Sequence, residues 1–128
     1  EWGVPTAASV VCAAASRPRF ETIIATGGVK SGVEIAKAIA LGATAGGIAR
    51  QVLQALTEGG TQGARDFLAR VKAEIMSVML LCGARTLRDL RDADRIVGQG
   101  LTSWVELANR PAKTKTAKSS TRSKKKHA

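Results

Sequence analysis

The sequence predicts an α/β protein that contains two consecutive strand–loop–helix units. Two short apolar runs, residues 23–26 and 44–48, each lead through glycines into a segment with helical spacing of its apolar residues. Units of this kind pair their strands in parallel, with both loops at the carboxyl edge of the sheet, where α/β proteins bind ligands. Aromatic residues make up only 3% of the chain, so Ala, Val, Ile and Leu are the expected core residues.

The first helix and the first strand are predicted from local composition. Pro5 suits the first turn of a helix and residues 7–15 are rich in Ala, so we expect a helix over residues 5–16. The Arg-Pro-Arg segment at residues 17–19 ends that helix. The strand over residues 23–26 follows.

The second helix is predicted to begin at a capping box. Ser31 and Glu34 have the required spacing, so the helix should run from about Gly32 to Leu41, with Gly42 just beyond its end. The residues expected to pack on the sheet are Val33, Ala36, Ile39 and Ala40.

The second strand, residues 44–48, is followed by a mostly helical segment. In order, the sequence predicts a helix at 50–57, a flexible break at 58–63, a helix at 64–81, a short helix at 87–93 capped by Thr86, a turn at 96–100 and a last helix at 101–108. The apolar stripe of the 64–81 helix is expected to be Phe67, Leu68, Val71, Ile75, Val78 and Met79. A mixed-charge, solvated surface is expected from Arg88, Asp89, Arg91, Asp92 and Asp94.

The two glycine-containing loops are the candidate ligand site. The Gly27-Gly28 pair can adopt positive φ and expose backbone N–H groups to an anion. Arg50, at the start of a helix, can hold phosphate oxygens through two hydrogen bonds. The candidate phosphate-binding residues are Gly28, Val29 and Lys30 on the first loop and Ala49 and Arg50 on the second. By spacing alone, the alternative stays open that the glycines serve only tight turns and Arg50 is a solvated charge.

These segments resemble a known family. Residues 26–32 (TGGVKSG), 36–43 (AKAIALGA) and 47–50 (GIAR) are similar to the last two strand–helix units of FMN-dependent TIM barrels. Within that group, residues 2–7 (WGVPTA) and 81–87 (LCGARTL) most resemble the type 2 isopentenyl-diphosphate delta-isomerases. The resemblance covers the chain from its first residue to residue 107.

The resemblance implies a function and a set of partners. It implies that residues 1–109 are the C-terminal part of a (β/α)8 barrel, and that the five loop residues named above hold the FMN phosphate. It implies an isomerase of isoprenoid biosynthesis that interconverts isopentenyl and dimethylallyl diphosphate with reduced FMN, NADPH as the reductant and Mg²⁺ on the small diphosphate substrate. The NADPH, Mg²⁺ and catalytic residues would lie upstream. We also expect the full-length protein to be a homo-oligomer and, because the sequence shows neither a membrane helix nor a signal segment, to be cytoplasmic.

The length of the chain predicts that it is only part of a barrel. A barrel of this type needs about 250 residues, whereas the chain has 128. We therefore expect a C-terminal portion that lacks the first six strands and exposes apolar surface, and that is unstable or aggregation-prone alone.

The basic character of the chain is concentrated at its end. Residues 110–128 contain eight of the twenty Lys and Arg and no acid, so residues 1–109 carry only +2 of the total +10. The tail is predicted to be disordered, and it lacks the aromatic residues that read nucleic-acid sequence. No stretch reaches the roughly 20 apolar residues of a membrane helix.

Two alternative functions are compatible with parts of the sequence. An FMN-dependent oxidoreductase of the hydroxy-acid oxidase or inosine-monophosphate dehydrogenase kind would share the double-glycine loop, although the His-x-x-Arg of hydroxy-acid oxidases is absent before it. A module that binds nucleic acid or membrane through the basic tail would belong to a different class.

Overall fold

The computed structural model of the chain describes residues 3–110. In chain order its elements are α1 Thr6–Ala14, β1 Ile24–Ala25, α2 Gly32–Ala40, β2 Ala45–Gly46, α3 Arg50–Leu81, α4 Leu87–Asp92 and α5 Gln99–Ala108. Trp2 of the opening motif and the basic segment 111–128 lie outside the described residues, so the predictions for them stay predictions.

β1 and β2 form a two-stranded parallel sheet. Ile24 pairs with Ala45 and Ala25 pairs with Gly46. A further hydrogen bond from the Gly47 N–H to the Ala25 carbonyl, 2.8 Å long, continues the ladder toward the carboxyl edge. The parallel pairing and the strand–helix order confirm the predicted α/β arrangement, although each strand has only 2 residues.

α2 packs between the sheet and α3. The Ser31 hydroxyl accepts the Glu34 N–H at 3.3 Å, which confirms the predicted helix start. Gly32 lies against α3, where a β-carbon would overlap the Val71 carbonyl oxygen and lie 2.7 Å from the β-carbon of Glu74. The two helices therefore approach each other closely because this position is a glycine.

The buried face of α2 is wider than predicted and placed differently. Its buried side chains are those of Ile35, Ala36, Ala38 and Ile39. Val33 is 38% exposed, so its predicted place on the sheet-facing side was wrong. The reason is that α3 covers the side of α2 away from the sheet, and helical residues on both sides become buried.

α3 turns sharply at one residue. Gly60, with φ 60° and ψ −157°, is the position within Arg50–Leu81 that departs from helical geometry. Beyond the turn, the backbone passes so close to the Ala55 carbonyl that a β-carbon at Gly63 would overlap it. The predicted break between two helices is therefore confirmed, but it is confined to Gly60. Its predicted extent, residues 58–63, was wrong, because a glycine costs a helix only about 1 kcal/mol and the other glycines stay helical.

α4 begins with a complete capping box. The Thr86 hydroxyl accepts the Asp89 N–H at 3.1 Å, and the Asp89 carboxylate accepts the Thr86 N–H at 2.9 Å. The same carboxylate accepts the Arg85 N–H at 2.9 Å. Hydrogen bonds from the Thr86 side chain and backbone, and then from Arg85, lower the pKa of Asp89 from its ordinary 3.8. The predicted cap at Thr86 is confirmed.

Arg91 belongs to the packing of α4 rather than to a solvated face. Its side chain is partly buried and donates from Nη2 to the Ala43 carbonyl, just before β2, at 3.1 Å. Its Nε is buried without a hydrogen-bond partner among the described residues. The predicted mixed-charge surface therefore holds for the exposed residues Arg88, Asp89, Asp92 and Asp94, with Arg88 and Asp92 4.0 Å apart, but was wrong for Arg91.

The core consists of two small clusters. The larger joins α2 to α3 and α4 through Val29, Ile35, Ala36, Ile39, Phe67, Val71, Ala84 and Leu90, and the smaller joins α1 to the sheet through Val10, Ala25, Ala38 and Ala43. Large apolar side chains remain exposed elsewhere, including Ile24 of β1 at 62% and Leu68 at 51%, which was predicted to pack. Among the described helices, none combines the length and apolar character that a membrane crossing requires.

Candidate phosphate-binding site

The loops after β1 and β2 begin side by side. The register pairs Ala25 with Gly46, so the next residue of each strand enters its loop at the same edge of the sheet. Thr26 and Gly47 are neighbours there, because a β-carbon at Gly47 would lie 3.2 Å from Thr26 Oγ1 and 3.3 Å from Thr26 Cβ. The predicted juxtaposition of the two loops is therefore present.

The first loop presents open backbone donors. Gly27 and Gly28 have φ values of 88° and 77°, in the left-handed region that favours glycine. No atom lies within 4 Å of the position of a β-carbon at Gly28, so a ligand can approach the backbone there. Within the described residues, the N–H groups of Gly28 and Val29 donate no hydrogen bond. The Val29 side chain is 9% exposed and anchors the loop in the larger core cluster.

Thr6 fixes the orientation of this loop. Its hydroxyl donates a 2.6 Å hydrogen bond from the first turn of α1 to the Gly27 carbonyl. A trans peptide directs its C=O and N–H to opposite sides. The hydrogen bond that holds the Gly27 carbonyl toward α1 therefore directs the Gly28 N–H away from α1. Sequence reasoning missed Thr6, and the signal available for it was only its position in the opening WGVPTA segment.

Carboxylates occupy part of the N-terminus of α2. The Lys30 N–H donates to Glu34 Oε2 at 2.5 Å, and the Gly32 N–H donates to Glu74 Oε2 at 2.6 Å. The positive end of the helix dipole stabilises negative charge at these positions. The backbone donor of Lys30 is therefore engaged, which differs from the predicted arrangement, and the exposed ammonium group is what Lys30 offers to a ligand.

The second loop ends at an N-terminus without a side-chain cap. Ala49 is the N-cap of α3, and no side chain accepts a hydrogen bond from the first turn. The first N–H groups of a helix have no partner within it, so those at Arg50 and beyond remain available. Arg50 is exposed, and the ion pair present in the described part of the chain, Arg88 with Asp92, does not involve it.

Together these groups have the chemistry of a phosphate site. A glycine loop with free N–H groups, an open helix N-terminus and a guanidinium group are recurrent phosphate ligands. The structure brings the two predicted loop segments, residues 28–30 and 49–50, to one edge of the sheet. Their assignment to a flavin phosphate stays a prediction. Within residues 3–110, no group of three or more His, Cys, Asp or Glu is placed to hold a metal ion.

The fold and the site define an α/β protein in which two consecutive βα loops begin side by side at one edge of a parallel sheet. The comparison with known families identifies the family within this class. The chain belongs to the family of FMN-dependent dehydrogenases, whose model matches residues 3–97.

Three relatives are all named isopentenyl-diphosphate delta-isomerase. The protein of Sulfurisphaera tokodaii is 41% identical over 106 residues, which is 83% of this chain and 28% of the relative. That of Pyrobaculum islandicum is 44% identical over 105 residues, 82% of this chain and 28% of the relative. That of Bacillus pumilus is 33% identical over 106 residues, 83% of this chain and 30% of the relative. The chain thus spans less than a third of the length of these relatives.

Proposed function

We propose that the full-length protein is an isomerase that interconverts isopentenyl diphosphate and dimethylallyl diphosphate with reduced FMN. In this proposal, the chain supplies part of the FMN phosphate site and helps to close the barrel. The FMN-dependent family and the names of the relatives support it. The structural observation that carries it is the pair of loops that begin side by side at one edge of the sheet, the first with unengaged N–H groups at Gly28 and Val29 and the second ending at the open N-terminus of α3.

The residues present fit the phosphate of FMN. The N–H groups of Gly28 and Val29 can donate to phosphate oxygens, and the Arg50 guanidinium can bind the same group through two hydrogen bonds. The space around Gly28 is open enough for the ligand to reach the backbone. Reduced FMN, when bound, would supply the proton-transfer chemistry at the allylic carbon. The role of this chain is to bind the phosphate end and so to restrict the orientation of the cofactor.

The remaining parts of the site are proposed to lie outside this chain. The Ile24 side chain is 62% exposed, and the outer edges of the two strands pair with no other strand within residues 3–110. Both features suit a sheet that continues into further barrel strands. The residues for Mg²⁺, NADPH and the diphosphate substrate would come from those strands and their loops. The homo-oligomeric state expected of the full-length protein is part of the same proposal.

The activity is tested on the full-length protein under anaerobic conditions. The assay supplies isopentenyl diphosphate, FMN, NADPH and Mg²⁺, and measures dimethylallyl diphosphate by NMR. The proposal expects product that depends on reduced flavin. A flavin-loaded protein that forms no dimethylallyl diphosphate but oxidises a hydroxy acid would support the oxidoreductase alternative instead.

The phosphate site is tested with two nearly isosteric substitutions at one position. Gly28→Asp and Gly28→Asn share the cost of a side chain at φ 77°, but only Asp adds a negative charge. Two unit charges about 5 Å apart repel by roughly 3 kcal/mol at an effective dielectric constant of about 20. We therefore expect the Asp variant to retain at least about tenfold less FMN than the Asn variant. Equal flavin content in the two variants would remove the reason for placing the phosphate at this loop.

A further inference from the structure

A separate cavity lies at the opposite end of α1 from Thr6. It measures about 520 Å³ and lies between the C-terminal part of α1, the segment before β1, and α5. This volume is within the range of roughly 300–1,000 Å³ that is usual for small-molecule sites. Ala14 lines the cavity, and a rise of about 1.5 Å per residue places it about 12 Å along the helix axis from Thr6. The cavity is therefore distinct from the two phosphate-binding loops.

The polar lining of this cavity is positively charged. Its polar and charged residues are Arg17, Arg19, Arg95, Asn109 and Arg110. No Asp or Glu of the described part of the chain lines it, and the ion pair found there, which lies on α4, involves none of these arginines. The hydrogen bonds that its guanidinium groups make, at 3.4 Å and 3.1 Å, are to backbone carbonyls. Most of their N–H groups are therefore available to an anionic ligand.

The floor of the cavity is aliphatic. It consists of Val11, Leu41, Val97, Val105 and three alanines. Among the described residues, no aromatic side chain lines the cavity, so a nucleobase would find only guanidinium planes to stack on, and these are the groups that an anion would occupy. An aliphatic chain suits such a floor, because its burial removes apolar surface of both partners from water.

We propose that this cavity binds an aliphatic diphosphate at a site separate from the proposed flavin site. The diphosphate group would bind to the four guanidinium groups, which match its multiple negative charges and its paired oxygens. The aliphatic chain would lie on the floor around Val11 and Leu41. The C-terminal tail is not a suitable occupant, because residues 111–128 contain seven Lys or Arg and no acid, and have the same sign of charge.

The test measures binding of geranyl diphosphate to the full-length, FMN-loaded protein by calorimetry. We expect geranyl diphosphate to bind at one site, and its affinity for that site to fall about tenfold or more in the double variant Arg17→Gln/Arg95→Gln. The matched control is Arg88→Gln, which removes an exposed charge outside the cavity and should leave the affinity unchanged. Inorganic pyrophosphate, geraniol and ATP should each bind this site at least about tenfold more weakly than geranyl diphosphate.

Several outcomes would overturn the proposal. Unchanged affinity in the double variant would exclude a role of the two arginines in binding. An equal loss of affinity in Arg88→Gln would indicate only a general effect of the protein's charge. Pyrophosphate or ATP binding as tightly as geranyl diphosphate would exclude an aliphatic ligand. The Gly28→Asp variant separates this proposal from the flavin site, since the arginine-dependent binding should persist when flavin is lost. Its disappearance in that variant would contradict the separation of the two sites.

Discussion

The hydrogen bond from the Thr6 hydroxyl to the Gly27 carbonyl predicts that Thr6 supports phosphate binding indirectly, by orienting the Gly28 N–H. In Thr6→Val, a methyl group replaces the hydroxyl at nearly constant shape, and the 2.6 Å hydrogen bond is lost. The Gly27–Gly28 peptide can then rotate, because both residues are glycines. We expect the Gly28 N–H to be less well oriented toward an anion, and Thr6→Ser to restore the orientation.

The size of the effect follows from the environment of the bond. A neutral hydrogen bond of this kind contributes about 0.5–1.5 kcal/mol net. Gly27 is exposed, so water can satisfy its carbonyl after the substitution, and no buried group is left unpaired. A loss of about 1 kcal/mol corresponds to roughly fivefold weaker binding. We therefore expect FMN affinity to fall about 3- to 10-fold in Thr6→Val and to stay within about twofold in Thr6→Ser.

Titration of the full-length apoprotein with FMN and with riboflavin distinguishes a loss of orientation of the Gly28 N–H from a general loss of protein stability. Riboflavin lacks the phosphate, so its affinity should be the same in the wild type and in Thr6→Val. The reasoning would be refuted if Thr6→Val bound FMN as tightly as the wild type. It would also be refuted if FMN and riboflavin lost affinity equally, because that result indicates general destabilisation.

Two further predictions concern the fold. Gly32→Ala should lower the free energy of unfolding by about 3 kcal/mol, at the upper end of overpacking costs, because the added carbon meets the α3 backbone. The control is Gly100→Ala, at a helical position with no atom within 4 Å, which should stabilise the protein slightly in the same denaturant titration. Equal effects of the two substitutions would contradict the close approach of α2 to α3. The pKa of Asp89 is lowered in the folded chain, so its ionised form stabilises α4 above pH 3.8, and this contribution is lost as the pH falls through the lowered pKa. NMR titration of the Arg85 and Thr86 amides should show a midpoint below pH 3.8 that is absent in Asp89→Asn. A midpoint at or above pH 3.8 would contradict a pKa lowered by the capping box.

Local chemistry made part of the site predictable. The Gly27-Gly28 pair and the spacing of Ser31 and Glu34 specify a positive-φ turn and a helix start within a few residues, and the structure has both. The parallel pairing of the strands also follows from short-range order, since strand–helix–strand units have one favoured connection. The family was recognisable from the same segments.

The features that the sequence did not reveal depend on contacts between distant residues. Glu74 lies 42 positions from the Gly32 N–H that it accepts, and Arg91 lies 48 positions from the Ala43 carbonyl. No local pattern distinguishes these side chains from solvated charges on a helix. The Thr6 hydrogen bond, across 21 positions, was hidden for the same reason.

The most direct test of the two-loop phosphate site is the ratio of FMN to riboflavin affinity in Arg50→Gln. A guanidinium bound to a phosphate contributes roughly 1.5–3 kcal/mol, so the preference for FMN should fall about 10- to 100-fold. Riboflavin affinity should not change, and Arg65→Gln, an exposed arginine further along α3, should behave like the wild type. An unchanged preference for FMN in Arg50→Gln, measured on the full-length protein, would contradict the proposal that these two loops hold the phosphate.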